Sequence, residues 1–391
     1  MTQGNIYLDF NATTPVDPVV QAQVPEWLDF WGNPSSIHHH GRGPKKLLRE
    51  SRRSLAQNLN CHPLELVFTS GGTESNNLAI KGSLQELKKK HPHKNKVLIG
   101  AIEHPSVLKQ VFQIEEMGFS VKLIPVNSQG QYDLEFYNNE LDETVALVSV
   151  MYANNEIGVL SPLEEMIPLA HEHKAVFHSD MVQALGKVAF DLKKLNVDLA
   201  SFSSHKIYAL NGCGLLYVKK GTAFDSLTQG GRQERARRAG TENLLAIASF
   251  AKMVGEINTE IFKENLEPLR EVMENDLKQS ITGFKILGEE SHRLPNTSCF
   301  TIEGTTGESL LMNLDIRGFS VGTGAACSSG NPEPSPVLLA LGLSHEQAQS
   351  SLRISFGKTT TEEHVKKFTK ALIEVVNHLR SLNPETGEVH V

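Results

Sequence analysis

Ser203, His205 and Lys206 stand together where the apolar run of DLASFSSHKIY ends. A hydroxyl and an imidazole can hydrogen-bond a phosphate there, while an amine condenses with an aldehyde. An isolated lysine is usually a solvated side chain, but this one follows a predicted strand, the place where ligands of open α/β sheets collect. Asp180 ends another apolar run, in AVFHSDMVQALGK. A carboxylate so placed can keep a cofactor's pyridine nitrogen protonated or can simply cap the next helix, and Gln183, one turn on, can donate to the ring's phenolic oxygen. LVFTS runs into Gly71, Gly72 and Thr73, a glycine turn at a helix start where free N–H groups favour a phosphate. Backbone geometry alone also explains such a turn. His104 in AIEHPSV and Asn155 in MYANNEIG fall beyond two further strand ends, so convergence on one sheet edge carries the argument. Cys327 lies in FSVGTGAACSSGNPEPSP, whose Gly, Ser and Pro content from Gly322 to Pro332 predicts an exposed, mobile loop. A thiol placed there suits a nucleophile that must move, whereas Cys61, Cys213 and Cys299 lie in or beside apolar runs and read as packing residues.

The elements that must position these groups are legible as alternation. From about residue 64, LELVFTS, KVLIGAIEH, VKLIPV, ALVSVMYANN, AVFHSD, LASFSSHK and CGLLYVKK alternate with helix-like segments, which predicts an α/β fold around a mainly parallel, seven-stranded sheet. Beyond about residue 255 the pattern changes to a long helix, IFKENLEPLREVMENDLKQSI, then short strands and a last helix, EEHVKKFTKALIEVVNHLRSL. The expected organisation is a large domain over 15–255 and a smaller α+β domain built from 1–14 and 256–391.

Composition narrows the class without naming a function. The 391 residues carry 45 acidic and 38 basic side chains, for a formal charge of −7, with no long block of one sign. General attraction to nucleic acid or to an anionic membrane is therefore not expected. The cluster Arg232, Arg235, Arg237 and Arg238 reads as a solvated loop or an ion-pair network. No secretory pattern or membrane-length apolar run is visible, so a cytoplasmic location with reduced thiols is expected. His38 to His40 lack a carboxylate or thiol at ligand spacing, so no metal site is expected.

Taken together, YLDFNATTP, NPSSIH, FTSGGTESNNLAI, IEH, NNEIG, HSDMVQALGK, SFSSHKIY, RRAGTEN and LRISFG resemble, in order and spacing, the cysteine desulfurases of iron–sulfur assembly and nitrogen fixation, over about residues 6 to 381. The cysteine loop resembles the first of the two desulfurase groups. The resemblance implies a homodimeric fold-type-I transferase that uses pyridoxal 5'-phosphate. In it Lys206 is the Schiff-base lysine, Asp180 sits on the pyridine nitrogen, His104 stacks on the ring, and Asn155 and Gln183 lie on its phenolic side. Gly72, Thr73, Ser203, His205 and, across the dimer, Thr241 would hold the phosphate. Arg353, with Asn33 nearby, would hold the carboxylate of L-cysteine, and Cys327 would carry the persulfide to a sulfur-acceptor protein such as an iron–sulfur scaffold.

A selenocysteine lyase or an aminotransferase of the same superfamily is the nearest rival, and Cys327 separates them because a transaminase needs no mobile thiol. A non-catalytic phosphate-binding or scaffold protein is the rival from another class. Ser204 stands where the family has Gly, and Ala209, Leu210 and Asn211 replace the usual Gly-Pro-Lys, which puts the local loop shape in question.

Overall fold

The computed structural model describes residues 5–326 and 333–382. The chain opens with a short strand, β1 (Ile6–Tyr7), and then enters the large body. There β2 (Leu66–Thr69), β3 (Lys96–Gly100), β4 (Ser120–Ile124), β5 (Val145–Ser149), β6 (Val176–Asp180), β7 (Leu199–Ser203) and β8 (Gly214–Val218) form one sheet in the order β2-β8-β7-β6-β5-β3-β4. All seven expected strands are present. Pairing is parallel except where β8 lies antiparallel between β2 and β7, so every other strand points the same way. Every residue of β2, β5, β7 and β8 is buried. Burial on both faces is why these strands read as continuous apolar runs rather than alternating ones.

The helix Gly72–Lys90 crosses one face of the sheet and buries Leu78, Ile80, Leu84 and Leu87 against Val67, Val97, Ile99 and Leu216. The opposite face packs Phe68, Leu98, Val148, Phe177 and Phe202 into a second apolar cluster that includes Ile247 and Phe250 of the helix Leu244–Gly255. With both faces covered, the open strand ends are what remains for polar chemistry.

The C-terminal part is built around an antiparallel sheet of β9 (Phe284–Ile286), β10 (Thr297–Ile302) and β14 (Ser351–Ser355), with β10 central. The helices Thr259–Ser280 and Glu362–Leu382 match the two long helical patterns, and they enclose a separate core with Leu8, Phe300, Leu352, Phe368 and Val376. β1 pairs in parallel with β11 (Phe319–Ser320), and Asp9 bridges Ser355. The N-terminal segment is therefore stitched to elements more than three hundred residues away in sequence before it reaches the large sheet.

β12 (Ala325–Ala326) pairs antiparallel with β13 (Glu333–Pro334). Gly322 exchanges backbone hydrogen bonds with Arg353 at 3.0 and 2.8 Å. The stretch Gly322–Pro332, expected to be loose throughout, is thus tied down from Gly322 to Ala326 by pairing, an interaction its Gly-rich composition does not advertise. Cys327 lies outside the described residues.

Candidate active site

Asp180 is the last residue of β6 and is only 5% exposed. Its Oδ1 accepts from the Val182 amide at 2.9 Å and its Oδ2 from Asn76 Nδ2 at 2.7 Å. Both donors are neutral. A buried carboxylate held only by neutral donors, with no hydrogen-bonded cation among the described residues, is arranged to receive a positive charge. It does cap the turn that follows, so the two readings of Asp180 hold together.

Asn76 links this carboxylate to His104. Its amide also donates to Ser106 Oγ at 2.8 Å, and that hydroxyl lies 2.7 Å from His104 Nδ1, which in turn accepts from the Ser106 amide at 3.1 Å. Because Nδ1 accepts, the proton of the neutral ring sits on Nε2. Burial lowers the His104 pKa and Lys206 adds to the effect, while Asp180 opposes it.

Lys206 follows β7 on a single tight turn, Ser204–Lys206. Its Nζ donates to the carbonyls of Asn11 at 2.7 Å and Ala12 at 2.6 Å. Burial is the main cause that brings its pKa down to about 8. The positive charge of Arg353 acts in the same sense, and Asp9 and Asp180 act against it. Thr14 bonds the His205 carbonyl through both its amide (3.1 Å) and its hydroxyl (2.9 Å), and His205 Nδ1 lies 3.1 Å from Thr13 Oγ1. The NATTP segment is in this way zipped along SHKIY. Burial, with Lys206, pushes the His205 ring down to about 4. Ser204 is fully buried and its hydroxyl reaches the carbonyls of Leu210 at 2.6 Å and Cys213 at 2.8 Å. Those bonds brace the ALN loop, which explains how a serine is accommodated at the unusual position.

Arg353 approaches from β14. Its Nη2 donates to Asp9 Oδ1 at 2.6 Å and its Nη1 to the Asn155 carbonyl at 3.3 Å, while its Nε is buried without a partner. Gly322 covers this side chain so closely that a Cβ there would lie 2.7 Å from Nη2. Asn155 thereby meets the site through its main chain.

Gly72 opens the helix Gly72–Lys90, and a Cβ on it would lie 2.9 Å from Val182 Cγ2, so only glycine allows this close approach beside Asp180. A Cβ on Gly72 would also lie 3.6 Å from Cβ of the buried Ser203, and Thr73 is exposed. Gln183 is 4% exposed, and its Nε2 donates to the Asn11 carbonyl at 2.9 Å. The chain does not bring Asn33 or Thr241 into this group. Both are exposed, and Asn33 Oδ1 accepts from the Ser35 amide at 2.8 Å. Of the arginine cluster, Arg238 pairs with Glu74 at 2.8 Å, and Arg235 and Arg237 donate to main-chain carbonyls beside β2.

Four residues that the sequence reading passed over organise the site: Asp9, Asn11, Asn76 and Lys187. Asn11 is the hub, because its Nδ2 also reaches the Asn155 carbonyl at 3.1 Å and Thr297 Oγ1 at 2.9 Å. A polar residue in the midst of LDFNATT, and a second lysine only four residues beyond Gln183, were the available signals. As assembled, the edge offers a lysine near neutrality, a carboxylate ready for a cation, a neutral imidazole and a guanidinium.

The class-V aminotransferase family matches residues 6–368 of the chain. The protein named cysteine desulfurase IscS from Dictyoglomus turgidum is 38% identical over 386 residues, covering 98% of this chain and 97% of its own length. A cysteine desulfurase from Nostoc sp. is 41% identical over 384 residues, 97% of this chain and 94% of its own. Among solved structures, a NifS-like protein superposes with a TM-score of 0.89 at 34% identity, over 96% of this chain and 100% of that one.

Proposed function

The chain belongs to the class-V aminotransferase family, among its cysteine desulfurases, and on that premise we propose a reaction assigned to its own residues: sulfur is removed from L-cysteine, L-alanine is released, and the sulfur is held as a persulfide on Cys327. Members of this family generally depend on pyridoxal 5'-phosphate. The residues present fit that group, and the observation that carries the reading is the buried Asp180 carboxylate, held by neutral donors alone and within electrostatic reach of both His104 and Lys206. A protonated pyridine supplies the cation which that carboxylate lacks. When bound, the cofactor provides a ring that draws electrons away from the substrate's Cα.

The chain's residues do the rest. Gly72, Thr73, Ser203 and His205 would hold the phosphate, joined by Thr241 of a second copy in a homodimer. His104, with its proton on Nε2, would stack on the ring, and Asn155 and Gln183 would lie on its phenolic side. Lys206, whose amine burial brings down to about 8, is the covalent anchor and, once free, the base that takes the Cα proton at Nζ. Arg353 binds the substrate carboxylate through its planar fork, and Asp9 and the Asn155 carbonyl fix the plane of that fork. The Cys327 thiolate then bonds to the substrate sulfur as that sulfur leaves Cβ. The electron pair of the broken C–S bond stays with the three-carbon fragment, which takes up protons and departs as alanine. The persulfide passes to an acceptor of the iron–sulfur scaffold kind in the cytoplasm. Among the described residues no helix is long and apolar enough to cross a membrane.

Incubating the purified protein with L-cysteine and a thiol reductant tests this reading. Alanine and sulfide should appear in equal amounts, and borohydride should trap the cofactor on Lys206. Pyruvate or a transaminated product without sulfide would overturn it in favour of another activity of the superfamily.

A further inference from the structure

Lys187 is fully enclosed, 5% exposed, and takes no part in the reaction just described. Its Nζ donates to Asn11 Oδ1 at 2.7 Å and to Gln183 Oε1. Gln183 Nε2 in turn donates to the Asn11 carbonyl at 2.9 Å, which closes a ring of three residues. That same carbonyl, with its neighbour on Ala12, receives Lys206 Nζ. Both lone pairs of the Asn11 carbonyl are thus engaged, one by Gln183 and one by Lys206.

We propose that Lys187 is a positioning residue for Lys206: it clips Asn11 against Gln183 so that the Asn11 and Ala12 carbonyls form a fixed dock for the Lys206 amine whenever that amine is not bound covalently. The inference rests on the assignment of Lys206 as the reactive lysine. Two features make Lys187 suited to the task. Burial, reinforced by the positive charges of Lys206 and Arg353, drives its pKa well below the usual lysine range. Its Nζ also donates to Asn11 Oδ1 and Gln183 Oε1 together, so a single side chain ties the two amides to each other. Asn11 is an apt target because its amide nitrogen is already committed to Asn155 and Thr297, which leaves Oδ1 facing Lys187.

The dock favours the protonated form of Lys206, since carbonyl oxygens accept from an ammonium more strongly than from an amine. Burial and Arg353 oppose it, Asp9 and Asp180 support it, and His104 and His205 are the other titratable groups that share Lys206's electrostatic environment. Loosening Asn11 should therefore lower the titration midpoint of Lys206 by about one pH unit.

The test is the pH profile with which Lys206 is trapped, by pyridoxal 5'-phosphate with borohydride and, separately, by formaldehyde reductive methylation, each quantified on the Lys206 peptide by mass spectrometry in cofactor-stripped protein. Lys187→Met, which keeps the length and apolar stem, should shift both profiles down by about one unit. Asn11→Ala should produce the same shift, and the double variant should shift no further, because Lys187 acts through Asn11. Asn11→Ala also stands alone as the deciding variant if Lys187→Met does not fold. A folded Lys187→Met protein with the parental profile, or shifts that add in the double variant, would overturn the proposal. Absence of any pyridoxal 5'-phosphate adduct on Lys206 of the parent would instead defeat the cofactor reading, and the formaldehyde profiles would still decide the role of Lys187.

Discussion

The carboxyl edge of the large sheet and the small sheet that carries Arg353 reach the same site by different means. On the large sheet each group sits at a strand end or within a few residues of one: Asp180 closes β6, Ser203 closes β7, and His104 starts the turn after β3. Their partners are short-range neighbours or come from the adjoining helix, as when Val182 and Asn76 hold Asp180. Arg353 instead lies mid-strand in β14, and the groups that orient it, Asp9 and Asn155, are separated from it by 344 and 198 residues of chain. Asp180 and His104 are prepared by near neighbours and the adjoining helix, while Lys206 and His205 also lean on the N-terminal segment, and Arg353 depends on the closure of the whole fold around a single side chain. Asp180 and His104 should therefore depend on their near partners, whereas Arg353 should be sensitive to distant residues that never touch substrate.

The largest effect belongs to the large sheet. Lys206→Ala should lower the rate of alanine formation by about 10⁴-fold or more, since anchor and base are lost together, while the variant remains folded because Ser203, Ser204 and His205 keep their bonds. Steady-state alanine release with a parallel thermal melt measures both halves. Turnover near the parental rate would remove Lys206 from the reaction.

Next comes a pH effect deep in the same sheet. His178 in β6 is fully buried between Ser149 Oγ at 2.8 Å and Ser201 Oγ at 3.0 Å, and burial pushes its pKa down to about 3. The unfolded chain binds that proton near pH 6.5, the folded one only near 3. Stability is thus full above about 6.5 and falls as pH drops toward 3, by on the order of 4 kcal/mol from this residue alone. His178→Gln should flatten that acid limb in urea unfolding measured at successive pH values, and an unchanged limb would show that other groups control it.

Two substitutions probe the other half of the comparison. Arg353→Lys keeps the charge but not the fork, and should lower kcat/KM for cysteine by about 10²-fold, mainly through KM. Asp9→Asn leaves Arg353 itself intact and should still cost about tenfold, again in KM, because the guanidinium loses the charge-assisted bond that sets its plane. If Asp9→Asn were silent in cysteine titrations, Arg353 would be as self-sufficient as Asp180 and His104 and the contrast would fail.

That contrast also explains what the sequence disclosed. All seven sheet strands and both long C-terminal helices were legible, since buried parallel strands read as apolar runs and surface helices as 3.6-residue periods. Asp180, Lys206 and His104 were legible because strand ends are where open α/β sheets bind ligands. Asp9, Asn11 and Lys187 were not, because their importance comes from long-range hydrogen bonds, and no local pattern distinguishes Lys187 from a lysine in solvent. The pinning of Gly322 to β14 was hidden for the same reason, its partner being supplied by tertiary pairing.

The proposed reaction requires that the sulfur of L-cysteine end on Cys327 while its carbon skeleton leaves as alanine. A single turnover with sulfur-labelled L-cysteine and no reductant, followed by alkylation and peptide mass mapping, tests it directly. The predicted result is one alanine per active site and one additional sulfur atom on the peptide containing Cys327, absent in Cys327→Ser. Additional sulfur on Cys61, Cys213 or Cys299 in its place, or alanine formed at the parental single-turnover rate by Cys327→Ser, would contradict it.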